Sequence, residues 1–152
     1  MQPPVQMIDL QLNEEEYQDV KKAFFNIFSF FINTEPDSIE FHDCIYKWGI
    51  QLGVGKEVLD FFVSEPSTIK FEKPDSPLKA LEQVYDLVYM IYLDGIVEDV
   101  ELIVASRFAQ SLGFEQYIVG ELLKSIVTAP YDGMPRSEVR KELHSFLKDN
   151  IS

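Results

Sequence analysis

Apolar residues along this chain recur at three- and four-residue spacings, in blocks separated by short polar or glycine-containing breaks, the period of helices buried on one face. Asn13 followed by Glu14, Glu15 and Glu16 supplies an N-cap candidate and negative charge where a helix dipole favours it. Tyr17, Val20, Phe24, Ile27, Phe28 and Phe31 then mark one face of a first helix ending near Asn33. The chain restarts helically after Pro36, with Phe41, Ile45, Trp48 and Leu52 on one face and Gly53 as its stop. A shorter helix follows around Lys56 to Val63, and "SEPSTIKFEKPDSP", Ser64 to Pro77, reads as the longest internal loop. Beyond it, Ala80, Val84, Leu87, Val88 and Ile91 mark a helix, and Leu102, Ala105, Phe108, Ala109 and Leu112 another that ends at Gly113. Ile118, Val119, Leu122, Leu123 and Ile126 predict a further helix, "APYDGMP" breaks it, and Val139, Leu143, Phe146 and Leu147 predict a last one, about 135–149. Strand alternation is absent over any useful length. The expectation is an all-α single domain over residues 1–152, a compact bundle of about seven helices.

The pattern also repeats. "YKWGIQLGVGKEVLDFF" parallels "SRFAQSLGFEQYIVGELL", with Gly53 and Gly113 standing 60 residues apart, so two similar helical halves are expected at about 14–63 and 78–128. Carried back by that offset, Asp94 falls on Thr34 and Glu101 on Phe41. The repeat is therefore one of packing, and any acidic chemistry is concentrated in the second copy.

Composition narrows the function. Asp plus Glu number 26 against 13 Lys plus Arg, a net charge of −13 that repels the phosphates of nucleic acid and disfavours anionic membranes. Cations, basic peptides and basic protein patches are allowed partners. One cysteine, Cys44, excludes an internal disulfide framework, and two histidines, His42 and His144, leave a Cys/His zinc site short of ligands, so a reducing cytoplasm fits best. The greasiest run, "AFFNIFSFFI", is too short to span a bilayer and carries Asn26 and Ser29, so direct membrane insertion is not expected. The N-terminus lacks the basic-then-apolar order of a secretory signal.

The candidate chemistry lies in "LDGIVEDVE", Leu93 to Glu101, between two apolar runs. One account needs no ligand: Gly95 can end a helix in the left-handed conformation, Asp94 can bond to nearby backbone, and Glu101 stands three residues after Glu98 in the spacing of a capping box. The other starts from Glu98 standing where Ser would cap better. Asp94, Glu98, Asp99 and Glu101 then share one turn and repel one another, which a divalent cation such as Ca²⁺, Mg²⁺ or Mn²⁺ would relieve through oxygen ligands. Asp94, Glu98 and Glu101 are the candidate ligands, with Glu35 and Asp37 ranked below them. The segment lacks the alternating Asp/Asn pattern of an EF-hand loop.

"LDGIVEDVELIVASRFAQSLGF" resembles the TerB-like tellurite-resistance family in its Asp-Gly, in a branched apolar residue shortly after, in the Glu opening the next helix and in the closing Leu-Gly. Asp94, Gly95, Val97, Glu101, Leu112 and Gly113 carry the match, which is good over about Ala80 to Ile126 and weak over Phe24 to Phe62. The resemblance implies an all-helical domain of two similar halves, acidic residues that bind metal cations, and a place in tellurite and general stress response. Only Asp94 and Glu101 fall on the family's acidic positions, and "NTEPDSIEF" in the first half has no Asp-Gly.

No catalytic constellation is expected. In "FHDC", His42 and Cys44 are two residues apart and face different directions on a helix, and neither histidine has the Glu three positions before it that a di-iron bundle needs. Gly-rich phosphate loops and nucleophile elbows are absent from the sequence. Phe25, Phe30, Tyr89 and Tyr92, left off the main apolar faces, either line a groove for a partner or close the core between the halves. The function expected is a non-enzymatic, TerB-like stress-response module, with a divalent cation at the acidic loop; the alternative is an acidic helical adaptor that binds a protein partner and has no metal site.

Overall fold

The computed structural model describes residues 14–91, 96–115 and 117–121. Among them every regular element is helical. The helices are α1 (Glu14–Thr34), α2 (Ile39–Gln51), α3 (Lys56–Ser64), α4 (Pro77–Ile91) and α5 (Asp99–Ser111), with a 3-10 turn at Pro66–Thr68; residues 117–121 are helical as well. The last expected helix, about 135–149, lies outside the described residues.

Helix α1 packs against α2 and α4, α5 packs against both α2 and α4, and α3 lies on α2. Four helices thus close a ring around one core. The predicted face of α1 fills it: Val20, Phe24, Ile27, Phe28 and Phe31 are all fully buried. So are Ile45 and Trp48 from α2, Val84, Leu87, Val88 and Ile91 from α4, and Ala105, Phe108 and Ala109 from α5. Phe25 and Phe30 turn out to close the core. Phe25 meets the rings of Phe24 and Phe62, and Phe30 meets Phe31, Phe71 and Phe108. Tyr92 lies outside the described residues.

The 60-residue spacing reappears in the backbone. Helix α2 ends with Val54 N–H donating to Gly49 O and Gly53 N–H to Ile50 O; α5 ends with Phe114 N–H donating to Ala109 O and Gly113 N–H to Gln110 O. Both are Schellman caps, which need a left-handed residue that only glycine adopts cheaply. Gly53 (φ 85°) and Gly113 (φ 98°) supply it.

The segment from Ser64 to Pro77 is more tightly held than its composition suggests. The carboxamide of Asn26, buried on α1, donates to Glu72 O at 2.9 Å and accepts from Glu72 N–H at 2.7 Å, and its nitrogen also reaches Gln83 Oε1 at 2.9 Å. Asn26 mimics a neighbouring strand for one residue of the loop. Phe71 then drops between Phe30 and Phe108, its ring centroid 5.4 and 6.0 Å from theirs.

Candidate functional site

Helix α5 begins with Glu98 in extended conformation as its N-cap, and Glu101 one turn later. The position of Glu101 belongs to the buried stripe shared by Val104, Ala105 and Phe108, whereas Leu102, placed on that stripe by sequence pattern, is only partly buried. A carboxylate is therefore packed where its counterpart in the first half, Phe41, presents a ring. Only 1% of the Glu101 side chain is exposed. Such a group is tolerated only when its oxygens are satisfied, because an unpaired buried charge costs several kcal/mol.

Each oxygen has a donor. The backbone N–H of Glu98 donates to Glu101 Oε1 at 2.9 Å, the Glu101 arm of a capping box. The indole of Trp48 donates from Nε1 to Oε2 at 2.8 Å. The ammonium of Lys47 stands 3.1 Å from the same Oε2 and 3.4 Å from Glu98 Oε1. Trp48 and Lys47 both belong to α2, so the carboxylate joins the N-terminus of α5 to a helix of the other half. Sequence reading missed both partners. A signal was present, since a buried tryptophan needs an acceptor for its N–H and Trp48 was already placed on a core face.

The other half repeats the placement with different chemistry. Arg107, 60 residues after Lys47, lies over the ring of Phe41 with 5.2 Å to its centroid, and bonds Glu35 at 2.6 Å. In each half a basic residue of one helix thus covers the N3 residue of the facing helix. One contact is ionic, the other cation–π.

Of the three candidate metal ligands, Asp94 lies outside the described residues, Glu98 is half-exposed at 53%, and Glu101 is engaged as above. Among the described residues no group of three or more His, Cys, Asp or Glu side chains is placed to hold a metal ion. Glu35 is held by Arg107, and Asp37 is exposed. The positive charge beside Glu98 and Glu101 is the ammonium of Lys47. A divalent ion seated between the two carboxylates would have to displace that ammonium.

Next to this clasp, Cys44 is buried, and its thiol pKa is pushed up to about 12, by burial first and then by the negative charge of Glu101. It stays protonated at neutral pH. His42 turns away from it and places Nε2 3.2 Å from Glu35 O. The two residues do not form an activated pair.

A second feature lies at the C-terminal end of α1. Phe30, Thr34 and Glu35 face Leu102, Ile103, Ser106, Arg107, Gln110 and Ser111 of α5 across an open cleft of about 770 Å³. Ile103 stands in it with 48% of its surface exposed.

No family model, curated protein or solved structure matches the chain.

Among the described residues no helix is long and apolar enough to cross a membrane.

Proposed function

We propose that this chain is a TerB-like helical module of the cytoplasm, without enzymatic activity, whose task in stress response is to hold a protein partner. The acidic turn then serves the fold. The observation that carries this reading is the Glu101 carboxylate, which meets Trp48 Nε1, Lys47 Nζ and Glu98 N–H at 2.8, 3.1 and 2.9 Å and has no need of an added cation. What the molecule offers to solution is an acidic surface carrying exposed large apolar side chains, among them Ile39, Ile50 and Ile103. Such side chains on a charged surface suit recognition of another protein. The link to tellurite and stress rests on the resemblance around Asp94 to Gly113.

The competing reading is a divalent cation held by Asp94, Glu98 and Glu101, and the half-exposed carboxylate of Glu98 is what favours it. Calorimetric titration of chelator-treated protein separates the two. Ca²⁺, Mg²⁺ and Mn²⁺ should give no saturable heat, whereas a cationic helical peptide should give binding that weakens with salt. Saturable binding of one of these ions, lost in Glu101→Gln, would overturn the adaptor reading of the turn.

A further inference from the structure

The cleft between the end of α1 and α5 is lined by apolar Phe30, Leu102 and Ile103 and by polar Thr34, Glu35, Ser106 and Gln110. Its length along α5, from Leu102 to Ser111, is about 14 Å at the α-helical rise, or two to three turns of a helix lying alongside. Neither α1 nor α5 has a basic residue in its own last turn to set against the negative end of its dipole. Arg107, the one cation among the described lining residues, is already taken by Glu35 at 2.6 Å and by the face of Phe41. The whole chain adds a net charge of −13.

We infer that this cleft is the docking groove of the adaptor, and that its occupant is a cationic amphipathic helix of a partner protein. The partner lays a Leu, Ile or Phe row over Ile103 and Leu102, in the helix-in-groove manner, and brings Lys or Arg to the carbonyl ends of α1 and α5. Charge complementarity selects this occupant over a second copy of the chain, which would bring its own −13 to the contact, and over an anionic lipid surface. The inference rests on the adaptor reading and adds to it the place and the chemistry of the partner.

The probe is a synthetic helix of about 14 residues with leucines at i, i+3, i+4 and i+7 and lysines elsewhere; its counterpart carries glutamates for the lysines. Affinity is measured by fluorescence anisotropy on the full chain at two ionic strengths. The lysine peptide should bind and the glutamate peptide should not. Ile103→Asp, at an exposed position that the fold does not require, should weaken binding at least about tenfold, about 1.4 kcal/mol. Gln110→Lys should weaken it through charge alone. Phe61→Asp, on α3 and outside the cleft, should leave it unchanged, and circular dichroism should report all three variants folded. Binding lost in Phe61→Asp but kept in Ile103→Asp would overturn the groove while leaving the adaptor reading in place. Failure of the lysine peptide to bind would overturn both. Self-association of the chain that Ile103→Asp abolishes, or capture by phosphatidylserine vesicles through the same residue, would replace the proposed occupant.

Discussion

Glu101 is acidic by sequence and interior by structure, and the difference lies in three donors, the nearby Glu98 N–H and the distant Trp48 and Lys47. Trp48→Phe removes one charge-assisted hydrogen bond to a buried acceptor and part of a fully buried ring system, which should together cost at least about 1–3 kcal/mol in urea unfolding. Glu101→Gln has one carbonyl oxygen in place of two, so it can accept from Glu98 N–H or from Trp48 Nε1 but not from both, and it also loses the ion pair with Lys47; it should cost at least as much. A smaller loss for Gln than for Phe would mean that packing of the indole, not the bonds to the carboxylate, dominates. Cys44 offers a separate check. Its pKa is raised from 9.0 to about 12, so the folded state holds the thiol proton more tightly than the unfolded chain. The stabilisation is complete below pH about 9 and is lost as pH rises towards about 12. A thiol reagent at pH 8 should therefore label the unfolded protein promptly and the native protein slowly; prompt labelling of the native protein would contradict the burial. Of the site itself, the capping relation of Glu98 to Glu101 was legible, because it depends on a three-residue spacing. Lys47 and Trp48 were not, because their contacts with Glu101 depend on how two distant helices face each other.

Elements are set by close approach as much as by pattern. Gly49, mid-helix in α2, lies so near α1 that a Cβ there would stand 2.7 Å from Phe24 Cζ. Alanine is the better helix former by about 1 kcal/mol, yet overpacking a core costs about 1–3 kcal/mol, so Gly49→Ala should lower stability on balance. Calorimetric melting reads the sign directly. The Ser64–Pro77 connection makes the second case. Asn26→Ala removes both bonds to Glu72 and the bond to Gln83, and hydrogen exchange should accelerate around Glu72 and Phe71 while α2 and α5 stay protected. Unchanged exchange there would mean that Phe71 alone holds the loop. Helix positions and their Leu-Gly ends were readable from spacing and glycine. This loop was not, since one asparagine on an otherwise apolar helix gives no hint of which backbone it grips.

At the scale of the molecule, an all-helical ring of α1, α2, α5 and α4 encloses one core, with matched caps at Gly53 and Gly113. The periodicity predicted those helices because their faces are apolar at 3.6-residue spacing. It misplaced one position, giving Leu102 the inward slot that Glu101 occupies, because a pattern of polarity cannot show that a carboxylate has been neutralised from across the bundle. The central claim is that the Glu101 carboxylate ties the two halves together and is not a seat for a cation. The most direct test is urea unfolding of the wild type and Glu101→Gln, with and without Mn²⁺, at matched ionic strength. A clasp predicts a clear loss for the variant and the same small response to Mn²⁺ in both proteins. A gain of about 2.7 kcal/mol in the wild type at one hundred times Kd, absent from the variant, would contradict it.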